Sequence, residues 1–276
     1  VAASSRPHRP SKRLGQNFLI DHRIAEQIVS SVSPSPADTV LEPGPGHGTL
    51  TKILLKKAGQ VIVVEKDPAL VKELQKSFEG QPNLKIIEDD ILKMEGNLPP
   101  FNKIVSTPPY YISSKLTLFL TGKKFEVAAI VFQKEFGDRL LAEPGSADYG
   151  RLSVMTRRKL DVEKIREISR NAFRPAPKVD STLLRLTPKE GEAEIDEVLF
   201  AEMARGIFTQ RRRLVKGAIL HFMTLKYGRE KGKKLLDSIS IPEQRVYQLS
   251  IDQLENLSLQ LWRAVSTEIA SSETNP

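Results

Sequence analysis

The residues of this chain that are able to do chemistry come in a fixed order. In VLEPGPGHGTLT (40–51), Glu42 precedes Gly44, Gly46 and Gly48, which fall at alternate positions. An apolar run ends at Leu41, and Leu50, Ile53, Leu54 and Leu55 resume at helical spacing, so the stretch reads as strand, glycine turn and helix start. A backbone without Cβ turns sharply and lets a ligand lie against it. Thr49 stands where G-x-G-x-x-G needs its third glycine, so the dinucleotide pattern fails. A tight turn with no ligand remains the alternative. Glu65 ends QVIVVE (60–65), where a carboxylate can accept from both ribose hydroxyls of a nucleoside. Asp89 and Asp90 end the next apolar run, where an acid can accept from an adenine amine. For Glu65 the competing reading is a surface carboxylate; for the Asp89–Asp90 pair it is a metal site, which the lack of a nearby histidine or third ligand opposes.

A fourth run stops at Thr107-Pro108-Pro109-Tyr110. Proline fixes φ and removes N–H donors, so this corner is rigid and offers carbonyl acceptors, with an aromatic face for a base at its tip. Gln16 and Asn17 sit among Leu14, Phe18 and Leu19. Their amides can cap local backbone or bind a ligand, and spacing does not decide which. The four histidines (His8, His22, His47, His221) lack metal-ligand spacing and the chain has no cysteine, so no metal site is expected.

These residues need a scaffold. Strands are expected at 39–42, 60–65, 84–88, 101–106, 127–133, 162–168 and 179–186, the first five alternating with helices at βα spacing. That predicts an α/β fold with a parallel sheet covered on both faces. Asp21 is expected to cap a helix that buries Ile24, Ile28 and Val29. Helices are expected at 49–57, 68–78, 116–120, 136–142 and 151–159. Composition shifts at 188–194, and beyond it only helices are expected, at 198–208, 213–227, 228–236 and 251–265. The expected domains are a basic arm (1–13), a catalytic domain (14–188), a helical domain (189–265) and a polar tail (266–276).

With 276 residues the chain can bury a sizeable core, and 39% hydrophobic with 28% charged residues describes an ordinary soluble protein. No apolar run approaches a membrane span, and the basic N-terminal stretch lacks the apolar segment of a signal peptide. A cytoplasmic location is the expectation. The net charge of +8 favours a polyanionic partner. It is concentrated at residues 6–13, at 157–159 and at 211–216. Arg13, Arg151, Arg157, Arg211, Arg212, Arg213 and Lys216 are therefore candidates for contacts to an RNA backbone, with a solvated helix face as the alternative for the triple arginine.

Taken together, LGQNFLID (14–21), LEPGPGHGTLT, VEKD, EDDIL and the Pro-Pro-Tyr corner resemble the rRNA adenine N6-dimethyltransferases (the KsgA type) in order and spacing. The resemblance continues through 132–154, FRPAPKVDSTLLRL (173–186) and IFTQRRRLVKGAI (207–219), covering about nine-tenths of the chain. It implies a Rossmann-like, seven-strand methyltransferase sheet with its last strand antiparallel, followed by a small helical domain. It implies S-adenosylmethionine (SAM) as methyl donor. The implied substrate is small-subunit rRNA, dimethylated at two adjacent adenosines in a hairpin loop near its 3′ end. Carried over by position, Asn17 and Leu19 contact the cofactor, with Gln16 beside them. Gly44 lies under its methionine part, Gly46 is a further cofactor-binding residue, and Glu65 takes the ribose, with Lys66 beside it. Asp90 takes the adenine amine, Ile91 flanks that ring, and Thr107 borders both ligands. A monomer is expected.

The resemblance also assigns the chemistry of the corner. An adenine N6 is a poor nucleophile because its lone pair is delocalised into the ring, and acceptors on its hydrogens restore a usable lone pair. Family members usually carry Asn, Leu or Ile, Pro, then Tyr or Phe. Here Thr107 replaces Asn and Pro108 replaces Leu or Ile, leaving Thr107, Pro108 and Tyr110 as the catalytic set. Losing one acceptor costs on the order of 2–4 kcal/mol in the barrier. Tyr111 replaces another common Asn. Two alternatives follow: a ribosome-assembly factor that keeps the fold but methylates little, and a large-subunit rRNA methylase of the antibiotic-resistance type, which the matches at 173–186 and 207–219 oppose.

Overall fold

Short, β-branched apolar runs between turn residues form the strands, and the acids around them cap the helices. The computed structural model describes residues 16–94, 96–191 and 195–273, with side chains through residue 267. The expected basic arm, Arg13 included, lies outside the described residues. The strands are β1 (Phe18–Leu19), β2 (Thr39–Pro43), β3 (Gln60–Glu65), β4 (Leu84–Glu88), β5 (Lys103–Ser106), β6 (Val127–Gln133), β7 (Leu160–Ile168), β8 (Phe173–Arg174) and β9 (Ser181–Pro188). Between them come α1 (His22–Ser30), α2 (Thr51–Leu54), α3 (Pro68–Ser77), α4 (Ser113–Leu120), α5 (Lys134–Leu141) and α6 (Arg151–Lys159). After β9 come α7 (Glu197–Phe208), α8 (Val215–Tyr227), α9 (Arg229–Asp237) and α10 (Ile251–Glu273).

Seven strands form one sheet in the order β4-β3-β2-β5-β6-β9-β7. β4 through β6 run parallel, and β9 is antiparallel to both its neighbours, so the expected sheet is present. Val61 to Val64 and Ala128 to Phe132 are buried on both faces, as parallel strands between helix layers require. Asp21 caps α1 by accepting from the amides of Arg23 and Ile24, and Ile24, Ile28 and Val29 are buried. Asp38 ties the start of β2 to β5, taking hydrogen bonds from Asn102 Nδ2 (2.7 Å) and Lys103 Nζ (2.9 Å). A separate ribbon, not expected from the sequence, pairs β1 with β8, setting Leu19 opposite Phe173.

The chain divides into two compact units, Val1–Leu141 with Lys159–Lys189 and Ala142–Arg158 with Glu190–Pro276. An uninterrupted domain over 14–188 is thus not what the structure has. Segment 142–158 belongs with the helices because Tyr149 and Val154 enter their core, Tyr149 meeting Phe208 edge-on at 6.0 Å. The composition shift at 188–194 marks only the last of three crossings between the units. Two further expectations are corrected. α10 runs on to Glu273 through the expected polar tail, since no glycine or proline stops it before Pro276. Arg211, Arg212 and Arg213 lie in the turn between α7 and α8 rather than on a helix, because extended Leu214 starts α8 after them. Among the described residues no helix is long and apolar enough to cross a membrane.

Candidate active site

In an open parallel sheet a crevice forms where the strand order reverses, beyond the C-terminal ends of the strands. Here that point lies between β2 and β5, which are parallel neighbours. The glycine turn leaves β2, and the Thr107–Tyr110 corner leaves β5 beside it. Glu65 ends β3, and Asp89 and Asp90 follow β4. Four adjacent strands thus deliver the predicted residues to one edge of the sheet.

Gly44 has φ +67°, and a Cβ there would stand 3.5 Å from Pro109 Cδ, so the two loops approach within a methyl group's reach. Gly46 has φ +57°, and a Cβ would press to 2.8 Å from the Phe18 ring. Only glycine combines that left-handed backbone with such an approach. Hydrogen bonds hold both loops: Gly44 N donates to Val64 O (2.9 Å), and Ser106 Oγ to Pro43 O (2.6 Å).

Together they line a cleft of about 1000 Å³, counting its open mouth. Gln16, Asn17, Leu19, Gly44, Gly46 and Glu65 line it, as do Lys66, Asp90, Ile91, Thr107, Pro108 and Tyr110. Every residue expected to hold the cofactor or act on the base therefore borders a single cavity. Phe18, His47, Thr49 and Phe173 join them without having been expected. Phe18 lies 4.1 Å from the His47 ring, and Thr49 Oγ1 donates to Leu19 O (3.0 Å), fixing the segment before α1 against the glycine turn. The apolar Phe18 inside LGQNFLID is the one sequence signal for this wall.

The acids differ in setting. Glu42, 1% exposed, takes a 2.6 Å hydrogen bond from Thr51 Oγ1, and burial pushes it up to about 8, so it is neutral at pH 7. Burial also raises Glu65, against the pull of the Asp67, Lys66 and Gly46 amides. Glu65 Oε1 accepts from the first two at 2.8 Å each. At Asp90 partial burial is outweighed by Lys66, whose Nζ lies 2.9 Å away, and by the Leu92 amide, so its carboxyl stays below the usual range. Gln16 Nε2 donates to Asp67 Oδ2 (3.1 Å), which orients its amide. Tyr110 donates to or accepts from Ser181 Oγ at 2.6 Å, and burial raises its phenol. The Thr107 hydroxyl has no hydrogen-bond partner among the described residues. Tyr111, 56% exposed, stands at the rim.

The charged candidates separate into two kinds. Arg157 is held inside its unit by Ala142 O (2.7 Å) and Glu143 (2.6 Å). Its neighbour Arg158 is buried between Glu197 (2.6 Å) and Glu255 (2.7 Å), with Phe200 under its guanidinium, so part of the 157–159 charge is structural. Arg151, Arg212, Arg213 and Lys216 are exposed.

This strand order, with a nucleoside-sized cleft at its reversal, defines a Rossmann-like methyltransferase. The family model described as "Ribosomal RNA adenine dimethylase" matches residues 8–258. A probable ribosomal RNA small subunit methyltransferase A of Thermococcus onnurineus is 42% identical, covering 92% of this chain and 93% of its own. One of the same description from Methanosarcina mazei is 41% identical over 76% of this chain and 77% of its own. Among solved structures, a dimethyladenosine transferase from Plasmodium falciparum superposes with TM-score 0.77 at 26% identity, covering 90% of this chain and 98% of that one. The 23S rRNA methyltransferase ErmE does so with TM-score 0.62 at 30% identity, covering 91% and 100%. The chain belongs to the ribosomal RNA adenine dimethylase family. It is a SAM-dependent rRNA adenine dimethyltransferase.

Proposed function

We propose that the protein dimethylates N6 of two adjacent adenosines in a hairpin loop near the 3′ end of small-subunit rRNA, as a step in small-subunit biogenesis. The observation that carries this reading is the close approach of the Gly44 turn to Pro109 on the wall of one cleft, which sets a cradle fit for a nucleoside beside a base-sized corner. The relatives from Thermococcus onnurineus and Methanosarcina mazei, both small subunit methyltransferases by name, favour the small subunit over the large.

The cleft suits SAM, because the glycine turn has no room for a Cβ at Gly46 and Glu65 stands buried at the end of β3. In this reading Glu65 accepts from the ribose hydroxyls and Asp90 from the adenine amine. Gln16, Asn17, Leu19, Gly44, Gly46, Lys66 and Ile91 close the remaining sides. The bound cofactor supplies an activated methyl group on a good leaving group. The protein's own part is positioning. The Pro108 carbonyl and Thr107 hydroxyl accept hydrogen bonds from the target amine, and the Tyr110 ring stacks on the base. Outside the cleft, Arg151, Arg157, the 211–213 turn and Lys216 bind RNA backbone. The enzyme is read as a cytoplasmic monomer that needs no metal.

The decisive experiment incubates immature small subunits with SAM and scores mono- and dimethyladenosine by mass spectrometry. Dimethylation at adjacent adenosines is expected, and no methylation of any subunit preparation overturns the reading. Thr107 in place of the family's usual Asn, a shorter reach to the target amine, favours one second reading, an assembly factor with slow turnover. Under it, SAM binds calorimetrically with little methyl transfer, and Thr107→Asn raises turnover at least tenfold.

A further inference from the structure

No phenylalanine, tyrosine or tryptophan among the described residues is as exposed as Tyr111. It borders the cleft, yet neither the cofactor nor the target base has a use for it in the reading above. Its hydroxyl bonds to no described residue, and its ring stacks on no described ring.

The backbone fixes where that ring points. Tyr110, Tyr111 and Ile112 form one turn of 3-10 helix, closed by Ile112 N donating to Pro109 O (3.1 Å). Three residues complete such a turn, so consecutive side chains diverge by about 120°. Tyr110 is turned inward and tied to Ser181, and Tyr111 leaves the same turn toward solvent. Pro108 and Pro109 stiffen the approach, so the outward ring is held in place without a partner of its own. α4 begins directly after this turn, and Lys115 stands in its first turn, four residues on from Tyr111. Lys115 is exposed and makes no ion pair with any described residue, and α4 contains no acid.

An aromatic face with an ammonium one turn away suits a single nucleotide. Every base has a flat face to stack, and the cation takes a phosphate. Two rings on consecutive residues can serve two consecutive nucleotides. Drawing one base into the cleft against Tyr110 parts it from its neighbour, whose bared face then needs a new partner.

We propose that Tyr111 stacks on the base next to the target adenosine, with Lys115 at that nucleotide's phosphate, as a second nucleotide subsite on the rim of the cleft. Tyr111 is then a specificity-determining residue that registers a neighbouring base while the target is held inside. The proposal rests on the rRNA reading above and adds to it a place for the nucleotide beside the target.

The test uses small subunits reassembled with a 3′ rRNA segment that carries an abasic nucleotide on the 5′ or the 3′ side of the scored adenosine. With the wild type, one of the two should raise KM about tenfold and leave kcat within about twofold. Tyr111→Ala should raise KM by the same factor on intact subunits, with SAM affinity unchanged, and lose nothing more on the abasic ones. Tyr111→Phe, which keeps the ring, should match the wild type. Lys115→Gln should lower the slope of log K for subunit binding against log salt by about 1.

An unaltered KM for Tyr111→Ala, or losses that multiply when it meets the abasic subunits, beside normal wild-type methylation, overturns the subsite alone. A Tyr111→Ala loss that neither abasic nucleotide reproduces assigns the ring to another part of the subunit and also overturns it. Weakened SAM binding by Tyr111→Ala makes the ring part of the cofactor wall, with the same result. A wild type that methylates no subunit preparation overturns both this and the rRNA reading.

Discussion

The Tyr110 hydroxyl stands 2.6 Å from Ser181 Oγ, tying the tip of the proline corner to the first residue of the antiparallel strand β9. The ring that faces the cleft is thereby fixed at its far end. Tyr110→Phe keeps the ring and loses the tether, worth about 0.5–1.5 kcal/mol. Steady-state assays should show kcat down roughly 3- to 10-fold. Ser181→Ala should do the same, and the double variant should be no worse than either. Tyr110→Ala also removes the stacking face, for a loss of about 10- to 100-fold. Additive single effects would show that the two hydroxyls act independently.

Glu65 is held by two backbone amides and half-enclosed by the cleft, so its carboxylate is already oriented before any ligand arrives. Charge-assisted hydrogen bonds are worth about 1.5–3 kcal/mol each. Glu65→Ala should weaken SAM binding by about 10- to 100-fold in calorimetry while leaving subunit binding at its wild-type level. Equal loss of both affinities would mean that the variant has unfolded locally.

Glu42 makes stability depend on pH. Its folded value of about 8 lies above the ordinary glutamate value of 4.5. Between those two, the folded chain keeps a proton that the unfolded chain has released. The stabilisation is full below pH 4.5 and is lost as pH rises through 8. Thermal melts should show Tm falling from pH 6 to pH 9, by an amount worth a few kcal/mol at most, roughly. Glu42→Gln, which cannot ionise and still accepts from Thr51, should flatten that fall. A variant with the wild-type slope would assign the pH dependence to other groups.

Arg158 is the buried hub of a three-residue ion network in the helical unit. Removing one partner of such a network costs about 3–5 kcal/mol, because the others are left without compensation. Glu197 is half exposed here, so the lower end applies. Arg158→Ala should shift the denaturation of the helical unit to lower urea, with SAM affinity preserved. Arg151→Ala, on the exposed face of the same helix, should leave stability within error and weaken subunit binding.

Much of this is legible from the residues. QVIVVE and VAAIVFQ are too short and too β-branched for helices, and the acids and glycines that end such runs must share one edge once the strands are parallel. That periodicity and chemistry yield the cleft. Other features depend on partners that no local pattern reveals. Tyr110 and Ser181 are 71 positions apart, and nothing near either one names the other. Segment 142–158 reads as a continuation of the sheet's helices until Tyr149 and Val154 choose a core. The arginine triplet looks helical because its flanks are, but Leu214 is extended and breaks the run.

The pairing of Leu19 with Phe173 has a consequence for synthesis. Phe18 and Leu19 leave the ribosome ahead of the whole main sheet, while β8 emerges only after six of its seven strands, β2 to β7. A nascent chain therefore owns its glycine turn and acids long before the lip beside them can be pinned down. Closure of that lip must wait for β8, about three-fifths of the way along the 276 residues.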